Sequence, residues 1–464
     1  MYIVHLATEL SPIAKVGGLG DVTAGLSKTL VEEGQKVEVI LPFYKKIDRK
    51  QLKNLKSLGD SFWSAEYDTI PLVLIESPLF QRENIYGEKD DIERFTFFPE
   101  AALKYLLKSN KHPDILNLHD WLTSFAAPLY RETYQKKGLK VGAIATTIHN
   151  MKYQGVCPPG KLPLKRPSLI KNKKGNLLQA GLMESDVLTT VSPTYAKEIE
   201  RKEGYGLEEV IKQKKTKGIL NGIDTSYWNP ETDPLLAENY TLETLTEGKK
   251  ANRKALQKEL KMDYDSAPLF TSISRLVQQK GPELILAGIE YVLKKGGQFI
   301  LLGSTPDPCL KNQFQSLSEE YRDNPHVHFH FTFNERLAHF TYAAADFILI
   351  PSLFEPCGLT QMIALRYGTL PIVHKVGGLS DTIFDIDHEE IPKEKRNGYT
   401  FEFPAEDSLR WSIDRAFENH KNNPKKNQLM LQNGIKKDWS WKTPALKYLQ
   451  TYKEALQAAI HHQL

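Results

Sequence analysis

Lys15-Val16-Gly17-Gly18-Leu19-Gly20-Asp21 (KVGGLGD) is spelled again, with one change, as KVGGLSD at Lys375–Asp381. Each copy follows a short apolar run and precedes a helical pattern, so each reads as a glycine turn from strand into helix. Such a turn lets backbone approach a ligand and points helix N-terminal N–H groups at it, which suits an anion. Lys15 and Lys375 add charge beside the two copies. Neither copy is GxGxxG or the Walker pattern, so a dinucleotide fold and a P-loop NTPase both lose support.

Outward from the two turns, apolar β-rich runs recur, each followed by a turn and a helical pattern. In the first half they are Tyr2–Ala7, Val37–Leu41, Ile115–Leu118, Ala143–Ile148 and Val187–Val191. In the second half they are Leu269–Ile273, Phe299–Leu302, Val327–Phe331, Phe347–Ile350 and Leu370–Val373. Continuous rather than alternating apolar runs suit strands buried on both faces, as in parallel sheets. Val22–Glu33 and Pro282–Lys295 read as amphipathic helices, the first closed by Gly34 and the second opened by Pro282. The break falls between Trp228 and Ala251, where two prolines and many polar residues replace strand signals. The expectation is α/β: two doubly wound domains with a cleft between them, over residues 1–236 and 251–440. A linker takes 237–250, and a terminal segment 441–464.

The bulk numbers agree with that reading. A chain of 464 residues suggests two domains of roughly 200 residues each. A net charge of +4 gives no case for nucleic acid as a partner. The Lys161–Gly175 stretch is locally basic, either a solvated loop or a rim that attracts a polyanion. Cys157, Cys309 and Cys357 have no CxxC spacing, which favours a reducing compartment and argues against zinc. No apolar run is long enough to span a membrane, and the first ten residues lack a signal-peptide pattern. A cytoplasmic location is expected.

Ligands of doubly wound sheets gather at the carboxyl ends of the strands, and those ends here carry reactive side chains. The first domain offers Glu9 and the first glycine turn, then His119-Asp120-Trp121, then His149-Asn150. The second offers Arg275 with Lys280, Phe333, PSLFEPCGLTQ at Pro351–Gln361, and the second turn. A guanidinium and an ammonium five residues apart suit a diphosphate whose charge grows as a bond to it breaks. Glu355, at a strand end, suits stabilisation of positive charge on a sugar ring. Asp120 beside Trp121 offers a carboxylate and an aromatic platform for a sugar face. Cys357 reads as a small packing residue. The DxD strings at Asp263–Asp265 and Asp385–Asp387 read as solvated charges rather than metal ligands, and no metal is expected.

Together AKVGGLGDV, LHDW, TTIHNMKYQG, VSPTYAKEI, LNGID, SRLVQQKG, PSLFEPCGLTQ, YGTLPIV, GGLSDT and DWSW resemble the bacterial glycogen synthase and plant starch synthase family, in order along nearly the whole chain. The resemblance implies a GT-B fold, two Rossmann-like domains facing each other across the active site, with a C-terminal helix crossing back to the first. It implies retaining transfer of glucose from ADP-glucose to the non-reducing end of an α-1,4-glucan, glycogen or a malto-oligosaccharide, with no cofactor and no metal. The two glycine turns would then face one another and hold one donor. Lys15, Gly17, Gly18 and Asp21 would meet the sugar diphosphate from one side. Gly377, Gly378, Leu379 and Thr382 would meet it from the other, beside Arg275 and Lys280. By the same resemblance His149 contacts the glucosyl unit and Glu355 holds its hydroxyls and offsets ring charge. Cys357, Gly358, Leu359 and Thr360 line the donor site, and Phe333 stacks on the nucleobase. Asn221 binds substrate, and Asp120, Trp121 and Asn150 lie toward the acceptor.

Three departures from the family pattern stand out. His374 and Val376 occupy positions where many relatives carry Arg and Thr. The stretch after Tyr153-Gln154-Gly155 is short, bringing acceptor length preference into question. Ile363 stands where the broader GT-B set often has a second glutamate, which favours the synthase branch and a front-face displacement over a covalent glycosyl-enzyme. The rival readings are use of UDP-glucose, a catalytically silent glucan binder, and a pyridoxal-phosphate phosphorylase.

Overall fold

The structure is a computed structural model, and it describes residues 1–162, 170–171 and 174–461. Most of the basic Lys161–Gly175 stretch lies outside the described residues. The chain divides into two compact units: unit 1 is Met1–Gly222 with Trp441–Leu464, and unit 2 is Ile223–Ser440.

Unit 1 is built on a nine-stranded sheet. Its order is Lys217–Gly218, Val187–Thr190, Ala143–Ile148, Ile115–His119, Tyr2–Leu6, Lys36–Pro42, Ile70–Ile75, Phe62–Tyr67, Lys53–Gly59. The first seven are parallel, and the last two add an antiparallel edge. Chain order reverses between Tyr2–Leu6 and Ile115–His119, so the crevice of this sheet opens at their carboxyl ends. Helix Gly18–Glu32 follows the first glycine turn and buries Val22, Leu26 and Leu30, the i, i+4, i+8 stripe of its sequence. That stripe packs with Trp441, Ala445, Tyr448 and Tyr452 of the terminal segment on one face of the sheet.

Unit 2 has six parallel strands in the order Val327–His330, Gln298–Ser304, Leu269–Arg275, Phe347–Ile350, Leu370–His374, Tyr399–Phe401. In chain order that is 3-2-1-4-5-6, the doubly wound arrangement, with its switch point between Leu269–Arg275 and Phe347–Ile350. Phe270, Phe299, Leu301, Phe347, Leu349 and Ile372 form the centre of its core.

The boundary differs from the sequence expectation of a first domain to 236 and a linker over 237–250. Residues Ile223–Ser440 belong to unit 2, and the expected linker runs into helix Leu245–Glu259. Asp233 anchors the segment by accepting hydrogen bonds from His339 Nδ1 at 2.7 Å and Tyr367 Oη at 2.6 Å. Trp228 stacks on His339 with ring centres 4.1 Å apart, and Tyr240 donates to the Tyr367 carbonyl at 2.9 Å. A polar, proline-bearing composition read as a linker is here a strap with buried anchors.

Candidate active site

The site residues of unit 2 sit where the strand order places a ligand. Arg275 ends one switch-point strand, and Lys280 closes the short turn after it. Glu355 lies in the loop after the other. Lys280 Nζ donates to Glu355 Oε2 at 2.5 Å, and Ser352 Oγ donates to the same oxygen at 2.9 Å. Glu355 is 5% exposed, and its buried carboxylate is met by an ammonium and a hydroxyl. A hollow of about 310 Å³ is lined by Ser274, Lys280, Ser352, Glu355, Thr360 and Gln361 among others. Glu355 is the one carboxylate among its described lining residues.

Behind Glu355 the loop is braced against the second glycine turn. Gln361 Nε2 lies 3.0 Å from the Cys357 carbonyl, 2.9 Å from that of Gly358 and 3.2 Å from Thr382 Oγ1. Thr382 donates onward to the Gly378 carbonyl at 2.6 Å. Leu359 caps helix Thr360–Arg366, and Leu379 is buried. The amides of the turn differ from the expectation that they face a ligand. Gly378 N–H donates to the Glu355 carbonyl at 2.9 Å, and Leu379 N–H donates to Val376 at 3.0 Å. The physical reason is close packing: a Cβ on Gly378 would lie 2.2 Å from the Cys357 carbonyl oxygen. Gly377 has φ +43. His374 Nδ1 donates to the Ser352 carbonyl at 2.7 Å, and Lys375 pairs with Glu402 at 2.8 Å.

Phe333 is 84% exposed, in the turn before helix Glu335–Ala344. A second hollow, of about 360 Å³, is lined by Leu276, Thr305, Lys311, Phe314 and Phe331.

In unit 1 the first glycine turn is tied to a glutamate as well. Glu9, 2% exposed, accepts on Oε2 from Val16 N–H at 2.5 Å and Gly17 N–H at 2.8 Å, and on Oε1 from the Tyr86 hydroxyl. The N–H groups expected to meet an anion therefore already meet a carboxylate. Burial pushes Glu9 up to about 7 against the pull of those amides. Lys15 reaches Asp21 at 2.7 Å, one turn into the helix. Around Gly17 and Gly18 there is open space.

Asp120 lies at the crevice of this sheet with φ +56. Its Oδ1 accepts from the backbone of His149 at 2.7 Å and Asn150 at 3.3 Å. Asp120 thus fixes the backbone of the histidine rather than offering that oxygen to an acceptor, and burial raises its carboxyl to about 7. The Asn150 side chain caps its own turn at Lys152 N–H, 3.1 Å away. Trp121 packs edge-on against Phe95 with ring centres 5.6 Å apart. His149 is 9% exposed, and its Nε2 lies 2.9 Å from His119 Nδ1. Asn221 is buried, with Oδ1 lacking a partner among the described residues.

Sequence reasoning gave no role to Glu9, Tyr86, Ser352, His119 or the side chain of Gln361. An acid between a strand and its glycine turn, and a serine three residues before Glu355, were the available signals. The Asp385 string is corrected too. Asp385 is buried, pairs with Arg415 through two contacts of 2.8 and 3.0 Å, and accepts from Thr400 N–H, so it is an internal anchor and not a solvated charge. Among the described residues no group of three His, Cys, Asp or Glu is placed to hold a metal ion. No helix among them is long and apolar enough to cross a membrane.

Two α/β units of these topologies, matched over nearly their whole length by a solved starch synthase catalytic domain and in the second unit by a glycosyl transferase family, form a GT-B glycosyltransferase. The sucrose-phosphate synthase of Thermosynechococcus elongatus shares this fold at 19% identity and a TM-score of 0.65, covering 98% of this chain and 99% of that one. Residues 2–213 match the family described as starch synthase catalytic domain, and residues 254–437 match glycosyl transferases group 1. The glycogen synthase of Protochlamydia amoebophila is 41% identical over 98% of this chain and 99% of its own length. The probable starch synthase 4 of Arabidopsis thaliana is 40% identical over 99% of this chain, which spans 47% of the plant protein. The catalytic domain of Arabidopsis starch synthase IV, solved with ADP and acarbose bound, superposes with a TM-score of 0.94 over 98% of this chain and 99% of that one. The chain belongs to the bacterial glycogen synthase and plant starch synthase family.

Proposed function

We propose that this protein is a glycogen synthase that transfers glucose, with retention, from ADP-glucose to the non-reducing end of an α-1,4-glucan. The observation that carries the reading is Glu355, held by Lys280 and Ser352 in the lining of the unit 2 hollow. The relative solved with ADP supports the choice of nucleotide, and its bound acarbose supports a glucan acceptor.

In the reaction the bond from glucose C1 to the β-phosphate oxygen breaks as the acceptor 4-hydroxyl bonds to C1. The hydroxyl proton passes to the departing phosphate oxygen on the same face. Arg275, Lys280 and Lys15 offset the charge growing on the diphosphate. Glu355 counters the positive charge on the sugar ring. His149 binds the glucosyl unit, Phe333 meets the base, and Trp121 and Asn150 serve the acceptor. Cationic side chains take the place that a divalent ion fills in other transferases, so no metal is required.

Incubating the protein with glycogen and either ADP-glucose or UDP-glucose, with and without EDTA, tests the reading. Release of ADP unaffected by EDTA is the expected result. Release from UDP-glucose alone overturns the donor, and release from neither overturns the activity.

A further inference from the structure

A hydrogen-bonded line of buried polar side chains crosses the central sheet of unit 1 from strand to strand. Thr189 Oγ1 lies 2.9 Å from Thr147 Oγ1 on the neighbouring strand. Thr147 donates to Asn117 Oδ1 at 3.1 Å, on the next strand across. The Asn117 amide nitrogen faces the other way, 3.2 Å from both His5 Nδ1 and His119 Nε2. Those two ring nitrogens are 3.1 Å apart. His119 Nδ1 then reaches His149 Nε2 at 2.9 Å, with the two rings stacked. Thr189, Thr147, Asn117, His5 and His119 are all fully buried. Apolar side chains would fill the middle of a parallel sheet at less cost, since a buried polar group must be bonded to be tolerated. The line ends at the one ring that belongs to the proposed site.

Its direction follows from the donors. Thr147 gives its hydrogen to Asn117 Oδ1, so the Asn117 NH₂ faces the rings and has only hydrogens to offer. With Asn117 as its donor, His119 Nε2 accepts and carries no proton, and His5 Nδ1, 3.1 Å from it, faces the same NH₂. A neutral imidazole then holds its proton on Nδ1, and His119 donates it to His149 Nε2. His149, neutral in turn, keeps its proton on Nδ1, which has no protein partner among the described residues. Burial pushes His5 and His149 down to about 3, and burial with the neighbouring rings lowers His119, so all three are neutral near pH 7.

We infer that His119, oriented by Asn117, is a positioning residue that fixes His149 as a neutral Nδ1–H donor to the transferred glucosyl unit. The inference rests on the reading of His149 as a sugar-contacting residue. A neutral N–H binds a sugar hydroxyl without placing positive charge beside a ring carbon that itself turns positive. Asp120 sets the backbone of His149 and His119 sets its ring, so both degrees of freedom of one contact are fixed before the sugar arrives.

Three variants and one spectrum test it. Nitrogen NMR of the labelled wild-type protein is expected to show His149 protonated at Nδ1 and bare at Nε2. His119→Leu is expected to lower kcat about 10–100-fold, the usual scale for removing the partner that orients a functional histidine. The KM for ADP-glucose stays within about twofold, because donor phosphate contacts are untouched, and the His149 signal becomes a tautomer mixture. His119→Asn, whose amide replaces Nδ1, restores kcat to within about threefold of wild type. A wild-type His149 protonated at Nε2 overturns the inference without any variant having to fold. So does a folded His119→Leu with unchanged kcat and unchanged tautomer. His149→Ala separates the two levels: full activity in that variant sinks the reading of His149, whereas an inactive His149→Ala with an unaffected His119→Leu sinks the positioning role alone.

Discussion

Lys280 Nζ and Glu355 Oε2 are 2.5 Å apart, and they come from the two loops that flank the switch point of the unit 2 sheet. The pair joins the group proposed for the leaving diphosphate to the group proposed for the sugar. Glu355→Gln keeps the size and the Ser352 contact but removes the charge. It is expected to lose roughly two to three orders of magnitude in kcat, the scale seen when one preorganised transition-state group is removed, while the thermal midpoint moves little. Steady-state kinetics beside a melting curve checks this. A variant within about threefold of wild type removes Glu355 from the mechanism.

The two KVGGL turns are alike in sequence and unlike in surroundings, so the same substitution should act differently in them. A Cβ on Gly18 meets nothing within 4 Å, whereas one on Gly378 meets the Cys357 carbonyl oxygen at 2.2 Å. Gly18→Ala is expected to leave the unfolding midpoint within about 1 °C, since a first-turn alanine suits a helix. Gly378→Ala must push the turn off the Glu355 loop, where backbone rather than a flexible side chain blocks it. It is expected to cost about 1–3 kcal/mol together with most of the activity. Equal thermal shifts in the two variants would show that the packing under Gly378 gives way.

Much of this arrangement was legible in the sequence because strands buried on both faces are continuous apolar runs. The ten expected strands are all present, and their carboxyl ends carry the expected side chains. The antiparallel edge was not legible, since Lys53–Gly59 is polar and exposed along its length. Nor was the position of the boundary, because the Asp233, His339 and Tyr367 anchors are far apart in the chain. The glycine turns were recognised as turns, but their N–H partners were not. Glu9 folding back onto Val16 and Gly17 is a tertiary contact that local spacing does not announce.

Glu9 should leave a mark on the pH dependence of stability. Its folded value, about 7, is raised above the ordinary 4.5, chiefly by burial. Between those values the folded state holds a proton that the unfolded state has lost, so stability falls as pH rises from about 4.5 to 7. Asp120, raised from 3.8 to about 7, adds a slope of the same sign. Glu9→Gln still accepts the Val16 and Gly17 amides through its oxygen but has no proton to lose. Denaturant midpoints at pH 5, 6, 7 and 8 should decline less steeply in the variant, with the Asp120 share of the slope remaining. Parallel slopes would mean that Glu9 is charged throughout the range.

Trp441, the residue before helix Lys442–His461, gives a test of packing in unit 1. Gly25 lies inside helix Gly18–Glu32, where alanine would ordinarily stabilise by up to about 1 kcal/mol. A Cβ there would lie 2.0 Å from Trp441 Nε1 and 2.3 Å from its Cδ1. Trp441 is 4% exposed and sits in one cluster with Val22, Leu26, Tyr448 and Tyr452, so its indole has no room to retreat. Gly25→Ala is therefore expected to reverse the usual sign and destabilise by about 1–3 kcal/mol. Relief of the overlap should show in the double variant Gly25→Ala with Trp441→Phe, whose smaller ring leaves space for the methyl. A calorimetric comparison of the four proteins decides it: a positive coupling that offsets part of the Gly25→Ala loss places the strain at this contact, and strict additivity places it elsewhere.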